Sequence, residues 1–294
     1  MKQLAVVVTC TDRKSLPVQP ELFLRSVPLD MVDRAEEWTR RLDQGHPRKR
    51  LRELYQGEAW SLLSRLEDAA RAVGFEPHPY VASAGLGLRP LTAEAPAYGA
   101  TFSVRQLDSV GGSVDQQRAW WDHLNAWNGS EGRLPDSDYY LFVLSRSYAD
   151  VMAPIVTEAA SRGETLVVGG SPAIAPAYRL PADAGLRRVL GGTRGALNIR
   201  MAIAWLNRLT GGRLNSEQDR TAWSQWAGDV GQTERYDRSP LTDREVRQAI
   251  SVIRAQEPKI SKTRALQVLR RSGYACEQKR FGELFMAVVG DTSA

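Results

Sequence analysis

The sequence predicts an α/β protein, a mainly parallel sheet flanked by helices, with a small all-α module at the C-terminal end. Three observations predict it. Short, continuous apolar runs recur along the first two thirds of the chain, as strands buried on both faces require. Helical patterns lie between these runs, and strands alternating with helices imply a parallel sheet covered on both sides. After residue 240 the runs stop and three amphipathic patterns follow. The expected boundaries are 1–212 for the α/β domain, 213–240 for a helical linker and 241–294 for a basic three-helix module.

Residues 4–9 carry Val6, Val7 and Val8 in succession and read as the first strand. Residues 79–82, 139–144 and 165–168 read the same way, with 188–190 as a shorter fifth. The helices are 58–73, which places Leu62, Leu63, Leu66 and Ala70 on one face, then 114–127, 149–161 and 196–209. A further helix spans 216–226, and the polar, turn-rich stretch behind it suggests a boundary. In the tail, Thr242 and Ser261 are placed to cap helices and Gly273 to end one. Phe281, Leu284, Phe285 and Val288 form a stripe at helical spacing.

Of the 294 residues, 43% are hydrophobic and 25% charged, which is globular composition. The net charge is +5, and the last 54 residues hold ten Lys/Arg against six Asp/Glu. Most of the excess therefore sits in the tail and fits a polyanionic partner. Cys10 and Cys276 lie far apart and outside any CxxC or Cys/His cluster, which argues against a disulfide scaffold or structural zinc. His46, His78 and His123 lack metal-ligand spacing, and the carboxylates show no paired arrangement. No metal or cofactor is expected. No run reaches the roughly 18 apolar residues of a membrane span, and the N-terminal run is too short for a signal peptide. The expected location is the cytoplasm; oligomeric state is not legible.

Ligands of open α/β sheets bind beyond the carboxyl ends of the strands. The first such loop, 10–15, groups Cys10, Asp12, Arg13, Lys14 and two hydroxyls. Asp12 is a candidate to direct water or stabilise a sugar cation, and Arg13 and Lys14 to hold phosphates; a solvated loop with Asp12 paired to a neighbouring cation is the alternative. The second loop offers Ser83 and Gly85, followed by Tyr98, Thr101 and Phe102. Tyr98 and Phe102 are candidates to stack on a base, or else to plug the core. Ser145, Arg146 and Tyr148 follow the next strand, and Gly169 to Pro172 the one after. A final Gly-rich turn, with Gly192, Thr193 and Arg194, leads into a helix bearing Asn198 and Arg200. Such a turn favours an anion, here phosphate, unless it is a plain connection. No P-loop pattern is present. The basic run 46–52 suits a phosphate backbone or an exposed loop, and Trp120, Trp121 and Trp127 suit packing more than base stacking. In the tail, Arg264, Arg270, Arg271, Lys279 and Arg280 suit DNA; a protein-binding bundle is the rival.

The succession of CTDRKS after the first strand, YQGEAW at 55–60, VASAGLGL and YGATF at 98–102 resembles a family related to the bacterial peroxide-stress DNA-binding proteins. Related domains occur in archaeosine-type tRNA-modification enzymes, and the group is similar in fold to uracil-DNA glycosylases. The resemblance covers roughly the first 200 residues. The tail, with SGYACEQKRFGELF, looks like an appended helical module. The wider group includes a phage-defence DNA glycosylase that removes glucosylated hydroxymethylcytosine.

The resemblance implies a DNA glycosylase acting on a modified base in double-stranded DNA by base flipping, in antiviral defence. It places Asp12 where such enzymes hold their water-directing or cation-stabilising carboxylate, and the turn at 191–194 near their late active-site loop. The Gly-Gln-Asp-Pro-Tyr and His-Pro-Ser patterns of uracil glycosylases are absent, with Gly170 to Pro172 a faint echo, so uracil is not the expected base. Ser83, Ser145, Arg146 and Tyr148 are the expected partners of a bulkier, sugar-bearing one. Two other functions fit the same residues: a non-catalytic DNA-binding stress or defence protein, and a deazaguanine-type base-modifying transferase.

Overall fold

The structure, a computed structural model, describes residues 1–28, 33–104, 106–231, 239–258 and 260–291, the side chains of 279 and 291 aside. The chain divides into two compact units, Met1–Gln232 and Thr233–Ala294.

Six strands form the main sheet of the first unit: β1 (Lys2–Thr9), β2 (Phe75–Ser83), β3 (Gly87–Pro90), β4 (Tyr139–Leu144), β5 (Glu164–Gly169) and β6 (Arg179–Leu180). Their order is β3-β2-β1-β4-β5-β6, parallel throughout except for the β2–β3 hairpin. Leu4, Ala5, Val6 and Val7 on β1 are at most 1% exposed, as a strand covered on both faces must be. β2 holds Pro77 and Pro79, but β3 pairs only with residues 80–83, so both prolines sit where one side of β2 has no strand to bond. From β1 the chain builds first to one side, through β2 and β3, and then returns to the other, through β4, β5 and β6. Strand order thus reverses between β1 and β4, where such sheets open a crevice beyond the strand ends.

The helices cover this sheet. Ser113 and Gln116 form a capping box at the start of Val114–Trp127, which packs on Arg146–Arg162. The expected helix 58–73 divides at Leu62 into Glu58–Ser61 and Leu63–Ala72, and its first part contacts Arg194–Ala196.

Two sequence expectations are corrected. Residues 188–190 lie in a helical turn, Arg187–Leu190, ended by Gly191 at φ 72°. A three-residue apolar run carries no period to separate strand from helix. The sixth strand is instead the two-residue β6. The expected linker is also different. Ser216 caps the helix Glu217–Val230, whose Trp223 is 5% exposed and packs 5.6 Å from Trp205, with Trp226 beside it. Trp205 donates its indole N–H to the Leu214 carbonyl at 2.9 Å. This helix belongs to the core of the first unit.

In the second unit, Asp243–Gln256, Lys262–Arg271 and Gln278–Asp291 enclose Val246, Ile250, Leu266, Leu269, Phe281, Leu284 and Phe285. Thr242 forms a capping box with Glu245, Ser261 caps the second helix, and Gly273 follows it at φ 84°. A short parallel pair, Ser239–Pro240 with Tyr274–Ala275, closes the module. Among the described residues no helix is long and apolar enough to cross a membrane.

Trp223→Ala is expected to destabilise the first unit by about 3–5 kcal/mol, the cost of a large core truncation. Urea unfolding followed by circular dichroism measures it; a change under 1 kcal/mol would return this helix to a linker.

Candidate functional site

A cavity of about 550 Å³ lies at the reversal of strand order. Thr9, Cys10, Thr11 and Asp12 line it from the end of β1, and Val143, Ser145 and Tyr148 from the end of β4. Ala59, Trp60 and Leu63 enter from the helices after residue 57, Gly195, Asn198 and Ile199 from the late turn. Arg25, Ala100, Thr101, Ser103, Gln106, Leu107 and Asp108 complete the wall. Thr9 ties the two strand ends: its hydroxyl accepts the Ser145 N–H at 3.1 Å and reaches the Val143 carbonyl at 3.4 Å. Ser145 is the N-cap of a 17-residue helix, yet its hydroxyl makes no capping bond and stays available to the cavity.

Of the expected base and sugar partners, Cys10, Ser145 and Tyr148 do line the cavity, as do Asp12 and Asn198. Tyr148 bonds Cys10 Sγ through its phenol at 3.1 Å. Asn198 donates its amide to the Leu144 carbonyl at 2.8 Å. That approach needs Gly169, at φ 86°, because a Cβ there would strike both groups. The other candidates are displaced. Tyr98 is fully buried and Phe102 1% exposed, so neither can stack on a ligand. The Tyr98 phenol bonds Tyr55 at 2.6 Å and also meets Ser83, whose hydroxyl accepts from Gly85 and Leu86 N–H. Ser83 is thereby tied off, and Gly85 serves packing, since a Cβ there would enter the Tyr98 ring. Phe102 packs on Tyr148 and Trp121. Burial raises the phenols of Tyr55, Tyr98 and Tyr148 above their ordinary value, so they stay protonated. The aromatic wall is instead Trp60, stacked on Tyr55 at 4.6 Å. It closes the motif YQGEAW, which sequence reading used for the resemblance without assigning Trp60 a place in the site.

The charges are also arranged differently. Lys14 is no phosphate ligand: its ammonium donates to the Thr11 and Asp12 carbonyls at 3.1 and 3.2 Å and lies 4.3 Å above the Tyr98 ring. Burial lowers its pKa, opposed by Cys10, Asp12 and Asp108. It braces the loop that carries Asp12. The Asp12 side chain is exposed to the cavity and receives no hydrogen bond or ion pair among the described residues. A second carboxylate that sequence reasoning missed, Asp108, shares the cavity with it. Asp108 lies 96 residues downstream, beyond the reach of any local spacing signal. Thr101 N–H donates to the Asp108 carbonyl at 2.9 Å, and Val110 N–H to the Thr101 carbonyl at 3.0 Å, which ties the backbone on either side of Asp108 to Thr101. Among the described lining residues Arg25 is the single cation against Asp12 and Asp108. Arg13, Arg146 and Arg194 are exposed outside the lining.

The Gly-rich turn already holds an anion from within the chain. Glu58 accepts the Thr193 N–H at 2.9 Å and the Arg200 guanidinium at 2.7 and 3.1 Å. Gly192, at φ 78°, leaves no room for a Cβ beside this pair. The Thr193 N–H is therefore not a free phosphate donor, and Gly192 packs against the Glu58–Arg200 pair. They anchor the turn whose next residues, Gly195 and Asn198, form the cavity wall. Gly170 to Pro172 does not line the cavity. No group of three or more metal-ligating side chains occurs among the described residues.

In the second unit, Arg280 is held by Asp243 at 2.7 Å and the Leu241 carbonyl at 2.9 Å, and Arg270 donates to the Cys276 carbonyl at 3.0 Å. Both brace the module. Arg264 stands 3.6 Å from Glu257 with both side chains largely in solvent, a weak pairing, and Arg271 is exposed. The Lys279 side chain lies outside the described residues. Of the basic run 46–52, Arg52 pairs with Glu67, and Lys49 reaches Ser15 at 3.4 Å.

Two outcomes are expected. Tyr98→Phe should cost about 1–3 kcal/mol in urea unfolding, because it strands the Tyr55 and Ser83 hydroxyls in the core. Hydrogen bonds from Thr193 and Arg200 hold the Glu58 carboxyl below its ordinary 4.5. A depressed carboxyl contributes fully above its unfolded value and loses that contribution as pH falls through the folded one. Exchange of the Thr193 amide, followed by NMR, should therefore quicken as pH drops below 4.5 once intrinsic exchange is divided out. In Glu58→Ala it should be faster by about tenfold at neutral pH, with that pH dependence gone. Compared with known proteins, the chain matches no protein family, no curated protein and no solved structure.

Proposed function

We propose that the first unit is a DNA glycosylase of uracil-DNA-glycosylase-like fold that hydrolyses the N-glycosidic bond of a modified base and leaves an abasic site. The observation that carries this reading is the pair of carboxylates, Asp12 and Asp108, in a cavity with hydroxyl and aromatic walls at the strand reversal. Breaking an N-glycosidic bond builds positive charge on the sugar. A negative interior placed beforehand stabilises that charge without having to reorganise. A cavity ringed by free cations would do the reverse.

The reaction balances simply. Water oxygen bonds to C1′ while the C1′–N bond breaks. The base leaves with that electron pair and takes up a proton. Asp12 stabilises the sugar cation and accepts the proton of the incoming water. The cavity volume, about 550 Å³, falls within the range of small-molecule sites and has room for a base bearing a sugar, such as glucosylated hydroxymethylcytosine. Trp60 supplies the planar wall an extruded base requires. Exposed Arg13, Arg146 and Arg194 are set for flanking phosphates, and the second unit adds sequence-independent DNA affinity that weakens with salt. The proposed setting is the cytoplasm, in defence against modified viral DNA.

Incubation with duplex DNA containing glucosylated hydroxymethylcytosine should produce abasic sites, read as alkali-labile breaks. Asp12→Asn should slow base release by about 100-fold or more with DNA affinity retained. A full set of modified substrates that stays intact under alkali, or an active Asp12→Asn protein, contradicts the reading.

A further inference from the structure

Beyond the negative charge that Asp108 adds to the cavity, Asp108 and Arg25 form a pair with a geometry of its own. Asp108 Oδ1 accepts the Arg25 backbone N–H at 3.1 Å and stands 3.6 Å from Arg25 Nε. Asp108 Oδ2 receives no hydrogen bond among the described residues. The Arg25 guanidinium lies 4.3 Å above the Phe23 ring, which sets its plane. Both side chains line the cavity, Asp108 at 19% exposure and Arg25 at 42%. The backbone on either side of Asp108 is tied to Thr101. Gln117 fixes it further, donating to the Phe102 and Gly111 carbonyls at 3.0 Å each. The pair is thus held by backbone on both sides. It offers a ligand one fixed acceptor next to one cationic donor.

We infer that Asp108 and Arg25 read the edge of the extruded base and select a base carrying an exocyclic amino group. This rests on the reading of the cavity as a nucleobase site. In an amino-bearing base the amino hydrogens stand beside a ring nitrogen or carbonyl, a donor next to an acceptor. That edge matches a carboxylate acceptor beside a guanidinium donor, the pairing that carboxylates make with amino groups of bases. An oxo base puts a carbonyl oxygen where the amino group would stand. Its lone pairs then face those of Asp108, and the carboxylate is left desolvated without a partner. A site built to bond a polar group rejects the analogue lacking it more strongly than one that merely fits its shape.

The test compares duplexes differing at one position. One pair carries 5-hydroxymethylcytosine or 5-hydroxymethyluracil, each plain and glucosylated; a second carries adenine or hypoxanthine. Free base released by the full-length protein is measured by mass spectrometry. The amino-bearing member of at least one pair should be released about tenfold faster or more. Asp108→Asn, whose amide can donate to a carbonyl, should shrink that ratio towards one. Equal release within every pair, or faster release of the oxo member, overturns the inference and leaves the glycosylase reading standing. Release from none of the duplexes overturns both. The ratio for the unaltered protein decides the matter even where the variant does not fold.

Discussion

Beyond Thr9 the backbones of β1 and β4 part, and the loops that leave them are held by side chains rather than by the sheet. The Thr9 hydroxyl spans the two strands at the last point where they can be joined. Past it, each wall of the cavity has its own brace. Lys14 bonds the carbonyls of the first loop, Asn198 bonds the end of β4, Glu58 bonds the late turn, and Gln117 bonds the 102–111 segment. The lining side chains are therefore placed by bonds made behind them. Asp12 receives no hydrogen bond or ion pair among the described residues, and Lys14, two residues on, is turned to the backbone carbonyls of Thr11 and Asp12.

This division of labour also settles the charges. Lys14, Arg200, Arg270 and Arg280 all have internal partners, and each braces a turn, loop or helix end. In the first unit Arg13, Arg146 and Arg194 stay in solvent, and in the second unit, taken by itself, so does Arg271. In the first unit, the described cavity lining holds two carboxylates against one cation, while Arg13, Arg146 and Arg194 lie outside it. An anionic ligand held at the rim, with a reacting centre that becomes cationic inside, is the chemistry this layout favours. The Ser145 hydroxyl, which makes no capping bond, adds a neutral partner that suits a polar ligand without disturbing that balance.

Much of the fold was legible because it rests on local signals. The Val6–Val8 run can be satisfied only by a covered strand, and Thr242, Ser261 and Gly273 act through neighbouring backbone alone. The place of Asp12 on the cavity wall was legible for the same reason: it lies three residues beyond the strand that ends at the reversal. Tyr98 and Phe102 were misjudged because a tyrosine in a Gly-rich loop looks the same in sequence whether it faces a ligand or fills the space a glycine leaves. The long-range partners could not be read at all. Nothing near Asp108 signals that it meets Arg25, and Glu58 occupies a turn 135 residues away. The Trp223 helix was assigned to a linker since its exposed face is polar, while its packing partner, Trp205, lies outside the helix.

The central claim is that a reacting nucleotide enters this cavity with its sugar at Asp12. A structure of the protein bound to duplex DNA carrying one cationic pyrrolidine in place of a deoxyribose tests it most directly. The account predicts the pyrrolidinium nitrogen within hydrogen-bonding distance of the Asp12 carboxylate, with the DNA backbone passing Arg13 and Arg194. A pyrrolidine left in the helical stack, or bound to a surface away from Asp12, would contradict it.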